Sequence, residues 1–342
     1  MFYYDKQLRS NQGKEFVEIA SCANISKVKL SHFERVLRLI RKSLSFSKKQ
    51  KIVLALFIPD YNAQGAGVLA TITTGKYSII KSLVMIALYQ VDAFTDKIFG
   101  GNPAAVCPLK EWLPSQTMQA IARENNLSET AFFVINDREI ELRWFTPTTE
   151  VNLCGHATLA VAHVVYNHLN YQGTNLRFLT KSGILSVSKT VDLLTLDFPA
   201  LPPRQCDCPP LITEALGRNP LEVWQSEDYL VLFEDEKTIG EIKPNMELLK
   251  ELDRRGVIVT AKADRDDFVS RFFAPKFGIP EDPVTGSAHC TLIPYWSQKL
   301  GKTKFVARQI SSRGGTILGE LKDDRVLLSG RAVTYLQGLI EI

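Results

Sequence analysis

One short pattern occurs twice in this chain, and it constrains the fold more than any other feature. Residues 143–147 read RWFTP and residues 271–275 read RFFAP. Gly155-His156-Ala157 follows Pro147 by eight residues, and Gly286-Ser287-Ala288 follows Pro275 by eleven. Each copy runs from a β-like stretch through proline and a polar loop to a glycine that opens a helix. A repeat of this kind implies two similar lobes facing each other, with equivalent loops meeting between them. The first turn of a helix has unpaired N–H groups and partial positive charge. Two such ends aimed at one cleft would hold a carboxylate or a developing oxyanion without a metal. One glycine at such a place would only start a helix. Two matched copies favour a ligand site.

The surrounding pattern is mixed α/β. Residues 87–94 alternate like a strand, and GGNP at 100–103 is a turn. A helix is expected near 115–125, then strands at 130–135 and 141–145, a helix from Gly155, and strands at 176–179, 184–189 and 193–198. Residues 199–210 are rich in proline and polar groups and read as an inter-domain linker. The second half repeats the order. Strands are expected at 229–233 and 257–260, a helix at 248–255, a strand at 268–273 and a helix from Gly286. Strands at 304–310, 315–321 and 325–328 close the chain. The expected domains are a basic extension over 1–84, a first domain over 85–200 and a second over 201–342, its last strand returning to the first.

Charge separates the extension from the rest. Residues 1–84 hold 14 Lys and Arg against 5 Asp and Glu, whereas the remainder holds 27 against 32. The main body is therefore mildly acidic and gives no footprint for nucleic acid. Within the extension, residues 31–43 could form a basic amphipathic helix, and GAGVLA at 65–70 only loosely matches a dinucleotide fingerprint. No apolar run approaches the roughly 20 residues that span a bilayer. The six cysteines are irregularly spaced and fit a reduced, cytoplasmic setting. Cys206, Cys208 and Cys290 match no zinc-site spacing. The first two read as loop residues and the third as helix core.

YQVDAFTDKIFGGNPAAV at 89–106, NLSETAFF at 126–133, LCGHATLAVAH at 153–163 and EDPVTGSAH at 281–289 resemble four successive signatures of the PhzF-like phenazine-biosynthesis family. The resemblance runs from about Met85, where a family member would begin, to the C-terminus. Residues 1–84 are then an appended segment or an upstream reading-frame extension. The resemblance implies a pair of diaminopimelate-epimerase-like α/β domains, each a curled sheet around a central helix, with a cleft between them. It implies an isomerase acting on a small carboxylate substrate, with no cofactor or metal, working as a homodimer. Carried onto this chain, Glu129 is the general acid/base, and His156 and Asp282 orient the substrate. The backbone of Gly155-His156 and Gly286-Ser287 holds the substrate carboxylate, and Asn102 is a further cleft residue. Diaminopimelate epimerases use two cysteines. This chain has Cys154 before Gly155 but Thr285 before Gly286, so a two-thiol racemase is not expected.

Read from the residues alone, Glu129 abuts an apolar run, and burial there would raise its pKa toward neutrality. A helix dipole at His156 would disfavour imidazolium. Cys154 at a helix start is a possible reactive thiol. However, residues two apart at a helix start usually diverge, which argues against a Cys154–His156 nucleophile pair. Two alternatives to the isomerase stand: a Cys154-dependent epimerase or hydrolase, and a catalytically silent binding protein.

Overall fold

The computed structural model describes residues 8–11, 14–17, 52–56, 66–73, 76–136 and 139–342, with side chains from Met85 onward apart from 137–138. The chain divides into two units, Met1–Ala87 with Leu339–Ile342, and Leu88–Gly338. In the first, Leu8–Asn11 pairs with Lys14–Val17, and Ile52–Leu56, Ala66–Thr73 and the start of Lys76–Ala93 form an antiparallel ladder. The basic segment 31–43 lies outside the described residues, as does Gly65 of GAGVLA.

Leu88–Gly338 is built from one strand order used twice. In its first half, Asn102–Leu109 runs parallel to Glu129–Asn136, which is antiparallel to Glu139–Phe145. Glu139–Phe145 is parallel to Asn175–Thr180, and the antiparallel strands Gly183–Thr190 and Leu193–Pro199 follow. In the second half, Tyr229–Leu232, Val257–Lys262, Phe268–Ala274, Lys304–Gln309, Gly315–Lys322 and Arg325–Gly330 pair with the same sequence of directions. The last strands of the halves pair antiparallel with each other, with Leu196 opposite Leu328. One ladder thus runs through both halves.

Each half encloses one helix, Gly155–His168 or Gly286–Leu300. The first buries ten of its fourteen residues, among them Leu159, Val161 and Val165, and the second buries Leu292, Ile293, Tyr295 and Trp296. Helices apolar on most faces need cover on most sides, which a curved sheet supplies. The enclosed helices fix where their N-termini emerge, and this positions the site.

Three expectations need correction. The stretch 199–210 is not a bare linker: Arg204–Gln205 pairs with Glu222–Gln225, and a helix starts at Pro210. The helix expected at 248–255 is Met246–Lys250. Asn245 starts it early by accepting from the N–H groups of Glu247 and Leu248. Asp253 and Arg255 are drawn out of it to Tyr229 and Asp228. Finally, a strand at Ala332–Glu341 follows the expected last one.

Candidate active site

Glu129 reaches its place because the preceding helix stops abruptly. Helix Ser115–Asn125 ends at Asn126, which adopts the left-handed conformation and donates its N–H to Ala122 O. Asn125 Nδ2 then donates to Thr130 Oγ1 at 3.1 Å, tying helix to strand. Glu129 opens that strand as a buried residue. Its Oε2 lies 3.0 Å from His156 Nε2. The two atoms are close yet misaligned for a hydrogen bond, and neither has another hydrogen-bond partner among the described residues.

Cys154 is the N-cap of the first central helix, so Gly155 and His156 are its first two residues. Thr285 caps the second helix, and Gly286 and Ser287 are the matching pair. Neither cap side chain closes its own first turn, which leaves those N–H groups without the usual capping acceptor. The two tips meet. A Cβ added to Gly155 would lie 3.7 Å from the Gly286 α-carbon, and a Cβ on Gly286 the same distance from Gly155.

Asn102 bridges the halves. The turn before it needs glycine, since a Cβ on Gly101 would fall 2.1 Å from Ala93 O and Gly101 has φ of +60°. Fully buried Asn102 donates through Nδ2 to Asp282 Oδ1 and Val284 O, both at 2.9 Å. His156 Nδ1 lies 3.2 Å from the same nitrogen. An amide nitrogen has two hydrogens, and the two oxygens can only accept, so they take both. Asn102 Oδ1 is buried and has no hydrogen-bond partner. Asp282 Oδ2 accepts from Thr285 Oγ1. Gln309, which the sequence did not single out, locks this loop by accepting from Thr285 N–H at 2.8 Å and donating to Asp282 O at 2.7 Å. Its only signal is a polar residue at the end of an alternating strand.

The electrostatics correct two expectations. Burial opposes a charged His156, but the Cys154 sulfur and the Glu129 carboxylate outweigh it and lift the imidazole well above its usual range. The helix dipole does not decide this residue's charge. The Cys154 thiol is itself pushed up to about 11 by burial and by Glu129. Cys154 and His156 also do not diverge: Sγ lies 3.6 Å from Nδ1. The cap residue is extended, with φ of −149°, so the helical spacing rule does not govern it. Burial also raises Asp282, against the pull of His156 and the Thr285 hydroxyl. Glu129, Cys154 and His156 offer donor atoms within 4.8 Å of one another, a set that could hold a metal ion. Cys154 approaches Nδ1 and Glu129 approaches Nε2, so as placed they flank the ring and do not converge on one point.

The structure therefore gathers Glu129, Cys154, His156, Asn102, Asp282, Gly155 and Gly286 at the junction of the halves. Ser287 is turned to Arg255, whose Nη2 donates to Ser287 Oγ at 3.1 Å.

Paired halves of one topology, with opposed helix tips and a buried carboxylate beside an imidazole, define a two-lobed α/β fold with its candidate site where the halves meet. Comparison with known proteins makes this specific. Residues 91–338 match the family model PhzC-PhzF, described as phenazine biosynthesis-like protein, and the chain belongs to that family. An uncharacterized isomerase of Pseudomonas aeruginosa is 52% identical over 257 residues, covering 75% of this chain and 99% of its own length. A crystal structure of a PhzF-family phenazine biosynthesis protein from Enterococcus faecalis matches with a TM-score of 0.75 at 46% identity, covering 76% of this chain and 100% of that one. A Pseudomonas aeruginosa structure titled a "Predicted Epimerase" shares the fold at a TM-score of 0.57 and 20% identity, over 75% of this chain and 99% of that one. Among the described residues no helix is long and apolar enough to cross a membrane.

Proposed function

We propose that the chain is a cofactor-independent isomerase that moves a proton on a small carboxylate substrate, with Glu129 as the general acid/base. The carrying observation is the 3.0 Å approach of Glu129 Oε2 to His156 Nε2, one residue from the point where Gly155 meets Gly286. A carboxylate there takes a proton from an activated carbon and returns it at another position. The imidazole beside it holds the carboxylate in place and offers a proton to a developing oxyanion. Helix-tip N–H groups favour an anion in the same spot. Asp282 and Asn102 orient the substrate.

The Cys154-dependent alternative is disfavoured by burial and by a thiol pKa of about 11, since the thiolate is the nucleophile. The free cysteines Cys107, Cys154, Cys206, Cys208 and Cys290 are compatible with a reducing cytoplasm. The resemblance to the family extends the proposal to a homodimer.

The test is solvent-deuterium incorporation into a panel of small carboxylic acids with an activated carbon–hydrogen bond. Wild type is expected to label at least one, and Glu129→Gln to lose the label by about a hundredfold or more, the scale of general acid–base catalysis. Equal labelling by both removes Glu129 from the chemistry.

A further inference from the structure

Gln309 ends the strand Lys304–Gln309 and is buried. Its Oε1 accepts from Thr285 N–H at 2.8 Å, and its Nε2 donates to Asp282 O at 2.7 Å. Both partners are backbone groups of fixed polarity, so the side-chain amide has one allowed orientation. The second Nε2 hydrogen goes to Thr285 Oγ1, 3.1 Å away. Thr285 Oγ1 therefore accepts from Gln309 and gives its own proton to Asp282 Oδ2.

Thr285 is the N-cap of the second central helix. A threonine hydroxyl at that place ordinarily accepts from the first-turn N–H groups of its own helix. Here it does not, because it is committed to Asp282. The first half has no counterpart. Its matching strand, Asn175–Thr180, ends on Thr180, whose hydroxyl donates to Gly183 O at 2.7 Å. A scaffold built twice does not require a glutamine at this strand end. The half that carries Asp282 has one.

We propose that Gln309 is a positioning residue: it turns the Thr285 hydroxyl away from its own helix and onto Asp282, and so holds Asp282 as a hydrogen-bond acceptor where the halves meet. Resting on the isomerase reading, in which Asp282 orients the substrate, this adds a residue that acts through another. Burial pushes Asp282 toward its protonated form, and Glu129 adds to the push. His156 and the donors Thr285 and Asn102 pull the other way. Arg255, just ahead of the strand Val257–Lys262, also feels the Asp282 charge. Of these groups, Thr285 is the one whose direction Gln309 sets.

The test is the titration of the Asp282 carboxyl, followed by carbon NMR of the full chain with labelled aspartate carboxyls and assigned with Asp282→Asn. Thr285→Val removes the hydroxyl and leaves both backbone bonds of Gln309 in place. It should raise the midpoint by about one pH unit through loss of a donor to the carboxylate, and Thr285→Ser should keep the wild-type value. Gln309→Met should also raise the midpoint. The double variant should go no higher than Thr285→Val alone, because Gln309 acts through Thr285. Gln309→Met strands two backbone groups and can compromise folding. Thr285→Val keeps the test decisive, since an unmoved midpoint there leaves Gln309 nothing to direct. That outcome overturns the assignment, as does a Gln309→Met rise that repeats in full on the Thr285→Val background. The titration needs no substrate. Shifted midpoints without Glu129-dependent deuterium exchange sink only the isomerase. Glu129-dependent exchange with unshifted midpoints sinks only the role of Gln309.

Discussion

Gly155 and Gly286 stand tip to tip, so close that a methyl group on either would lie 3.7 Å from the other's α-carbon. That distance is ordinary van der Waals contact. The nearest other atom to a methyl on Gly155 is Phe198 Cζ, at 3.5 Å. Gly155→Ala should therefore fold, with a melting temperature equal to or slightly above wild type, because alanine suits a helix better than glycine. The methyl nevertheless fills the space a ligand needs beside the N–H groups. Deuterium exchange into substrate should fall about a hundredfold, the loss expected when reacting groups are displaced by an ångström. Normal exchange in a folded Gly155→Ala would show that the tips are not where the substrate sits.

Cys154 should be a silent thiol. It is buried, and its pKa of about 11 leaves roughly one molecule in ten thousand ionised at pH 7. Cys208 is exposed. Brief treatment of native protein with iodoacetamide at pH 7.5, followed by peptide mass mapping, should label Cys208 and leave Cys154 unmodified. Cys154→Ala should retain deuterium exchange within a fewfold of wild type. Rapid Cys154 labelling that abolishes exchange would restore the cysteine-dependent reading.

Most of the scaffold was legible because its signals are local. The helix Ser115–Asn125 falls where apolar periodicity places it, and both central helices begin at the repeated glycines. The site was legible in part. Glycine context pointed to the tips, but the roles of Glu129 and Asp282 came from resemblance, since a lone carboxylate has no local signature. What stayed hidden depends on tertiary contact. The Cys154–His156 approach needs the extended cap conformation, and the imidazole's raised pKa needs Glu129, 27 positions away in sequence (156 against 129). Arg255 lay in an expected helix. It is instead drawn to Asp228, a partner that no periodicity reveals.

His289 should make the fold acid-sensitive. It is fully buried in the second central helix, with Nδ1 2.7 Å from Thr285 O. Burial lowers its pKa to about 4. The unfolded chain, with an ordinary histidine near 6.5, binds the extra proton first. Stability from this residue is thus complete above about pH 6.5 and is lost as pH falls toward 4. The loss is about 2 kcal/mol at pH 5. Urea unfolding of wild type and His289→Gln at pH 7.5 and pH 5 should show a smaller pH-dependent loss in the variant. Parallel losses would mean that other groups carry the acid sensitivity.

Arg313 should hold the Asn102 turn against the second half. Its Nη2 donates to Asp92 Oδ1 and to Gly100 O, and its Nε to Gly101 O, each at 2.8 Å. Asp92 is buried and also accepts from Phe99 N–H. Arg313→Ala removes the cation and leaves a buried carboxylate with one backbone donor, an imbalance that costs about 3–5 kcal/mol. Replacing both partners, Asp92→Asn with Arg313→Ala, also removes the stranded charge and should recover a measurable share of that loss. Denaturant midpoints for the two single variants and the double variant give the coupling directly. A near-additive cycle would mean that the turn is fixed by its glycines and backbone bonds, without help from the Arg313 clamp.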